Sequence, residues 1–169
     1  MRSREQFIVE YARSHRNISN QIIHLVCVPL IFFASAGLLW AVKLDSVMPQ
    51  LADRFSELTG LSLNLGLLAF VPILAFYARL GLKSFIDGGL WSVASLAAIA
   101  AVESSGASLA VVCGVIWVAA WIFQFVAHHI EKAKPSFGDD LVFLLIGPLF
   151  VQEKLVKMVS QRSFAVLRG

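Results

Sequence analysis

Charge is scarce in this chain. Only 15% of its 169 residues are Asp, Glu, Lys or Arg, against 58% hydrophobic, and the mean hydropathy is +0.77. A soluble domain of this size needs more polar surface than that, so an ordinary water-soluble fold is not expected. Cysteine is nearly absent too. Cys27 and Cys113 sit inside apolar runs without a CxxC neighbour, which leaves no redox pair or zinc knuckle and casts both as packing residues. No glycine-rich phosphate loop and no basic–aromatic interleaving occur, so nucleic acid is not an expected partner; the net charge of +3 reflects topology instead. Without internal repeats or low-complexity stretches, residues 1–169 read as a single membrane domain.

What the chain does have is long apolar blocks: Ile22–Val42, residues 61–78, Phe85–Val102 and Ala107–Ala127. As helices, blocks of about 20 residues cross a bilayer core of roughly 30 Å. The expected fold is therefore an all-α integral membrane protein with four transmembrane helices and an N-terminal cytoplasmic helix. A fifth apolar stretch, Leu141–Val151, is short and contains Gly147-Pro148, which interrupts helical continuity. Residues 141–156 are thus expected to be re-entrant or interfacial, bringing Glu153 toward the bundle's cytoplasmic end. Residues 1–20 hold four arginines and two glutamates without the apolar core of a signal peptide, so the first span is expected to act as its own insertion signal.

With four spans, twelve lysines and arginines share one side (Arg2, Arg4, Arg13, Arg16, Arg79, Lys83, Lys132, Lys134, Lys154, Lys157, Arg162 and Arg168) and only Lys43 and Arg54 the other. The positive-inside bias places both termini in the cytoplasm, in a bacterial inner membrane or the endoplasmic reticulum.

The four histidines, His15, His24, His128 and His129, all fall at that same cytoplasmic edge. Imidazole has little reason to sit in lipid unless something binds it, and it is the commonest protein metal ligand. A metal site at the membrane surface is the leading reading. Tyr11 and His15, Asn20 and His24, and Gln124 and His128 are each four residues apart. On a helix that spacing brings side chains together, and the Asn20 and Gln124 amide oxygens suit the second ring N–H of a metal-bound imidazole. It also favours His128 over His129, since adjacent helical residues point about 100° apart. On one continuous helix His15 and His24 would face opposite ways. Convergence needs a break, which Asn17-Ile18-Ser19-Asn20 supplies, with Ser19 or Asn20 as cap. The plainer alternative is that these polar residues are satisfied by headgroups and water; the one-sided placement of all four histidines weighs against it. Glu131 reads as a ligand, an outer base or a partner of Lys134; Asp87 either pairs with Lys83 or faces the site; Glu153 belongs to the same surface.

Two motif blocks carry a resemblance. Tyr11-x3-His15-x4-Asn20-x3-His24-x4-Pro29, followed by Gln124-x3-His128, Glu131-Lys132, Pro135 and Gly147-Pro148-x-Phe150-x2-Glu153, resembles the pattern of small membrane 2-hydroxy fatty acid dioxygenases of fatty acid α-oxidation. The resemblance implies an Fe(II)-dependent enzyme that uses O2 to shorten a 2-hydroxy fatty acid by one carbon. By position, His15, His24 and His128 would hold the iron and carry catalysis, with His129 a possible further ligand and Tyr11, Asn20, Gln124, Glu131 and Glu153 around them. Imidazole suits non-haem iron, and Arg13, Arg16, Lys132 or Lys134 would attract the substrate carboxylate while its tail stays in membrane lipid. Three other functions compete. Di-iron desaturases resemble one another in carrying HxxxH and HxxHH clusters, which this chain lacks. A bis-histidine haem protein fits a helical bundle, but His24 and His128 stand at span ends. The third is a non-enzymatic membrane scaffold or lipid-binding protein. The oligomeric state is open.

Overall fold

A computed structural model describes residues 2–134 and 142–166. Pro135, Leu141 and Arg168, which the sequence reading used, lie outside the described residues. Within them the chain forms seven α-helices and no strand: α1 (Arg4–Arg13), α2 (Ile18–Trp40), α3 (Pro49–Thr59), α4 (Leu65–Arg79), α5 (Leu82–Ser104), α6 (Leu109–Glu131) and α7 (Phe143–Val166).

Three of these, α2, α5 and α6, are long and apolar enough to cross a membrane, each with 23 residues and hence about 35 Å long. The expected span at 61–78 is shorter. Its helix, α4, has 15 residues, about 22 Å. The reason is local. Asn64 takes the N-cap, its side chain accepting the Leu67 N–H at 3.0 Å, and Asn64 also pairs with Lys43 in an isolated antiparallel bridge, so residues before it are extended. The loop between the first two apolar blocks holds a helix the sequence reading did not anticipate. α3 starts on Pro49 and stops at Gly60, whose φ of 71° is the left-handed geometry glycine supplies at a helix end.

α2 is the central helix, packed against α4, α5, α6 and α7. α6 runs antiparallel to it: Gly37 of α2 lies so close to Cys113 of α6 that a Cβ there would collide with the sulfur, while His24 meets His128 at the opposite end. Small residues permit this approach where lipid offers no hydrophobic drive for association. Both cysteines are buried and unpaired, as packing residues would be. α4 returns antiparallel as well, its Gly66 against the Trp40 backbone. At the histidine end, Phe7 and Tyr11 of α1, Tyr77 of α4 and Phe143, Ile146, Leu149 and Phe150 of α7 form one buried cluster.

α7 departs from expectation. It runs unbroken through Gly147-Pro148 for 24 residues. Proline cannot donate to the carbonyl one turn back, and as the sixth residue of α7 Pro148 lies past the first turn, where that donor would have been free anyway. Neighbouring side chains bind this turn: Tyr77 Oη donates to the Leu145 carbonyl at 2.9 Å and Trp91 Nε1 to that of Pro148 at 3.1 Å. α7 packs on α1, α2 and α5 at the histidine end. It is not among the helices apolar enough to span.

Gly88 of α5 faces the Tyr77 ring so closely that an added Cβ would overlap it, whereas Gly89 meets open space. Gly88→Ala should cost about 1–3 kcal/mol by overpacking. Gly89→Ala should be neutral or stabilise by up to about 1 kcal/mol through helix propensity. Thermal unfolding of the two variants in detergent checks the pair.

Candidate metal centre

The centre is built on the break between α1 and α2. α1 ends at Arg13 with Ser14 as C-cap, and Asn17 begins α2 from an extended conformation, its side chain accepting the Ser19 N–H at 2.9 Å. The break exists as expected, but Asn17 is the cap. Ser19 and Asn20 already lie inside α2. Turning the chain there lets His15, in the hinge, and His24, two turns into α2, aim at one point.

The Glu131 carboxylate fixes the hinge. From the end of α6 it accepts the backbone N–H of Arg16 (2.8 Å), that of Asn17 (2.8 Å) and the Asn20 side-chain amide (2.9 Å). Gln21 and Asn20 add bonds from α2 to the His15 and Ser14 carbonyls. His128 stands one turn before Glu131, so the same contact brings it to the other two histidines. The three rings lie 4.2–5.0 Å apart between centroids, and their ligating nitrogens fall within 4.8 Å of one another. All three are buried.

Each ring's state follows from its partner. His15 Nδ1 lies 2.6 Å from the Tyr11 carbonyl, and His24 Nδ1 lies 2.9 Å from the Asn20 carbonyl. A carbonyl only accepts, so both Nδ1 atoms carry a proton, and in the neutral ring Nε2 is the nitrogen that keeps the lone pair. His15 Nε2 is buried without a partner among the described residues, as a nitrogen awaiting a metal would be. Burial pushes the His15 imidazole down to about 4; the Tyr11 carbonyl opposes this, the nearby His128 adds to it and Glu131 opposes it. The ring is neutral at neutral pH, the form that binds metals. The i, i+4 relation is therefore real but works through the main chain. Tyr11 and Asn20 supply backbone carbonyls, while the Tyr11 ring stacks on His15 at 4.1 Å and the Asn20 amide serves the hinge. Gln124 makes no hydrogen bond to His128, whose Nδ1 is buried and unpartnered among the described residues.

The cluster closes one end of a cavity of about 270 Å³ between α2, α4, α6 and the start of α7. Its polar lining near the histidines is Tyr11 and Gln124; among the described residues no lysine or arginine lines it. Arg13, Arg16, Lys132 and Lys134, expected to meet a carboxylate, are exposed and outside it, and His129 is exposed on the far face of α6. Adjacent helical positions diverge, which separates His129 from His128. Asp87 pairs with buried Arg4 (2.8 Å) as well as Lys83 (2.9 Å), tying α1 to α5, and Glu153 lies 4.0 Å from Arg4 and 2.8 Å from Lys157. Neither carboxylate lines the cavity. Arg4 was missed from sequence, because its partner lies 83 residues away on another helix.

Three helices fit to cross a membrane, and three buried histidines at the polar end of an apolar cavity, describe a membrane-type helical protein with a candidate metal centre. The model of the Mpo1-like family, described as 2-hydroxy-palmitic acid dioxygenase Mpo1-like, matches residues 1–159, and the chain belongs to that family. No individual curated protein and no solved structure matches it.

Glu131→Gln keeps the shape but turns an N–H toward a backbone N–H of the hinge. It should weaken binding of a divalent metal by about 10–100-fold, read by Co(II) titration of the purified protein. Unchanged affinity would show that the hinge holds without this carboxylate.

Proposed function

We propose that this protein is an Fe(II)-dependent dioxygenase that shortens 2-hydroxy fatty acids by one carbon, working at the cytoplasmic face of a bacterial inner membrane or the endoplasmic reticulum. The observation that carries the reading is the convergence of His15, His24 and His128 at the polar end of an apolar cavity. The family description supports the dioxygenase class, and the basic residues clustered toward the histidine end support the sidedness.

The donor set fits non-haem iron: three imidazoles, two of them oriented by carbonyls at Nδ1, with no carboxylate in the cluster among the described residues. Bound there, Fe(II) would supply O2 activation and a positive charge opposite the substrate carboxylate. That charge matters because no basic side chain lines the cavity among the described residues. The chain's own groups do the rest. His15, His24 and His128 hold the metal. Tyr11 and Gln124 face the cavity beside them and hydrogen-bond the carboxylate and 2-hydroxyl; burial pushes the Tyr11 phenol above its usual range, so it stays a donor. The stacked Tyr11 and nearby Phe150 exclude water from His15. Arg13, Arg16, Lys132 and Lys134 act at a distance, drawing the anion to the surface.

Two other readings fare worse. A bis-histidine haem site needs imidazoles on opposite faces of a planar macrocycle, whereas three rings converge here. A scaffold has no use for three neutral buried imidazoles, whose desolvation is costly without a partner.

Each of His15→Ala, His24→Ala and His128→Ala should abolish consumption of 2-hydroxy fatty acid and lower iron content, with the protein still inserted and folded. Asn20→Ala and Gln124→Ala should lower activity by about 10–100-fold. His129→Ala should change neither iron content nor turnover. Near-normal iron and turnover in all three cluster variants would rule the centre out, and a Soret band would favour haem.

A further inference from the structure

The histidines occupy only one end of the cavity. α2 is its floor, and α4 and α6, which do not pack extensively on each other, are its walls. Because both walls run antiparallel to α2, Ile73 and Gln124 lie toward the histidines, while Ala36, Leu39, Gly66, Ala69 and Trp117 line the distant part. From His24 to Leu39 the floor is about 22 Å long, and from His24 to Ser35 about 16 Å. An extended chain advances about 3.5 Å per three bonds. A hydrocarbon tail thus reaches Ser35 after roughly 14 carbons and Leu39 after roughly 19.

Beyond the histidine end, Ser35 of α2 is the one hydroxyl in the lining among the described residues, and it is engaged: Trp117 Nε1–H donates to Ser35 Oγ at 3.1 Å. An indole N–H facing hydrocarbon needs an acceptor. This one pins the ring between α6 and α2 at the rim, where Trp117 is 37% exposed. Opposite it, Ala36 and Ala69 leave width that a larger side chain would fill.

We infer that this trough holds the tail of a single-chain 2-hydroxy acid, entering sideways between α4 and α6, and that Ala36, Ala69 and the Ser35–Trp117 bridge set the preferred chain length. The head's chemistry rests on the dioxygenase reading. The tail's place rests on the trough alone. The occupant is one acyl chain because the histidines, Tyr11 and Gln124 gather at one end while the far part is apolar apart from Ser35 and Trp117, which bond each other, the distribution of an amphiphile with a small head.

Two measurements test it. Ala69→Phe should shift the kcat/KM ratio away from 2-hydroxy-palmitic acid and toward 2-hydroxy acids that end before Ser35, by about tenfold or more. Trp117→Leu should shift it toward longer acids. Separately, a palmitic-length fatty acid lacking the 2-hydroxyl, with a diazirine at its methyl end, should crosslink near Leu39, Ala69 and Trp117 in the whole protein. 2-Hydroxy-palmitic acid should compete, and Ala69→Phe should suppress the crosslink. A phospholipid carrying the same diazirine should label lipid-facing positions such as Val118 and Ile122 without competition. Fatty acid label confined to those outer positions, or label and chain-length ratio unmoved by either variant, overturns the inference. Competed label in the trough without iron or turnover upholds it while overturning the dioxygenase reading.

Discussion

The hinge between α1 and α2 leaves backbone N–H groups at the start of α2 that no helical carbonyl can satisfy. One is met by Asn17, and those of Arg16 and Asn17 are met by the two oxygens of Glu131, more than 110 residues away in sequence. Charge-assisted bonds of this kind are short and roughly twice as strong as neutral ones. Since Glu131 lies one turn beyond His128, the contact that caps α2 also sets the register of α6 against it. The hinge residue His15, His24 on α2 and His128 on α6 are brought together by one carboxylate.

Around that contact, charge is sorted by depth. Among the described residues, carboxylates and cations stay outside the cavity, satisfying the hinge through Glu131 and docking α1 through Arg4 and Asp87, both buried. A buried pair of this kind is weak evidence for stability, but breaking it by removing one partner is costly, because the other charge is left uncompensated. It positions α1, whose Tyr11 contributes a carbonyl to His15 and a ring to the buried cluster. The cavity keeps imidazoles, a phenol and an amide at one end, and at the other hydrocarbon with the paired Ser35 and Trp117. Such a surface discriminates by what it cannot stabilise: a free carboxylate has no cation to meet there unless a metal provides it.

Much of this was legible in the sequence because it is local. Apolar runs gave α2, α5 and α6, and the i, i+4 pairs marked the histidines that converge. The nine-residue gap between His15 and His24 required a break, and the structure has one. Other features depend on long-range contacts that periodicity does not report. The shorter α4 follows from Asn64 pairing with Lys43, and the continuity of α7 through Pro148 follows from Tyr77 and Trp91. Which atom meets each ring was not legible: main-chain carbonyls of Tyr11 and Asn20, rather than their side chains, lie against His15 and His24. Lys132 and Lys134 seemed near the site because they are near His128 in sequence; the left-handed turn at Lys132, φ 58°, ends α6 and both side chains are exposed.

The central claim is that His15, His24 and His128 bind one iron together. X-ray absorption at the iron edge of the Fe(II)-loaded protein tests it most directly. Three imidazole scatterers in the first coordination shell, falling by one in His128→Ala, are the result this account predicts. A shell of oxygen ligands alone, or an imidazole count unchanged in that variant, would contradict it.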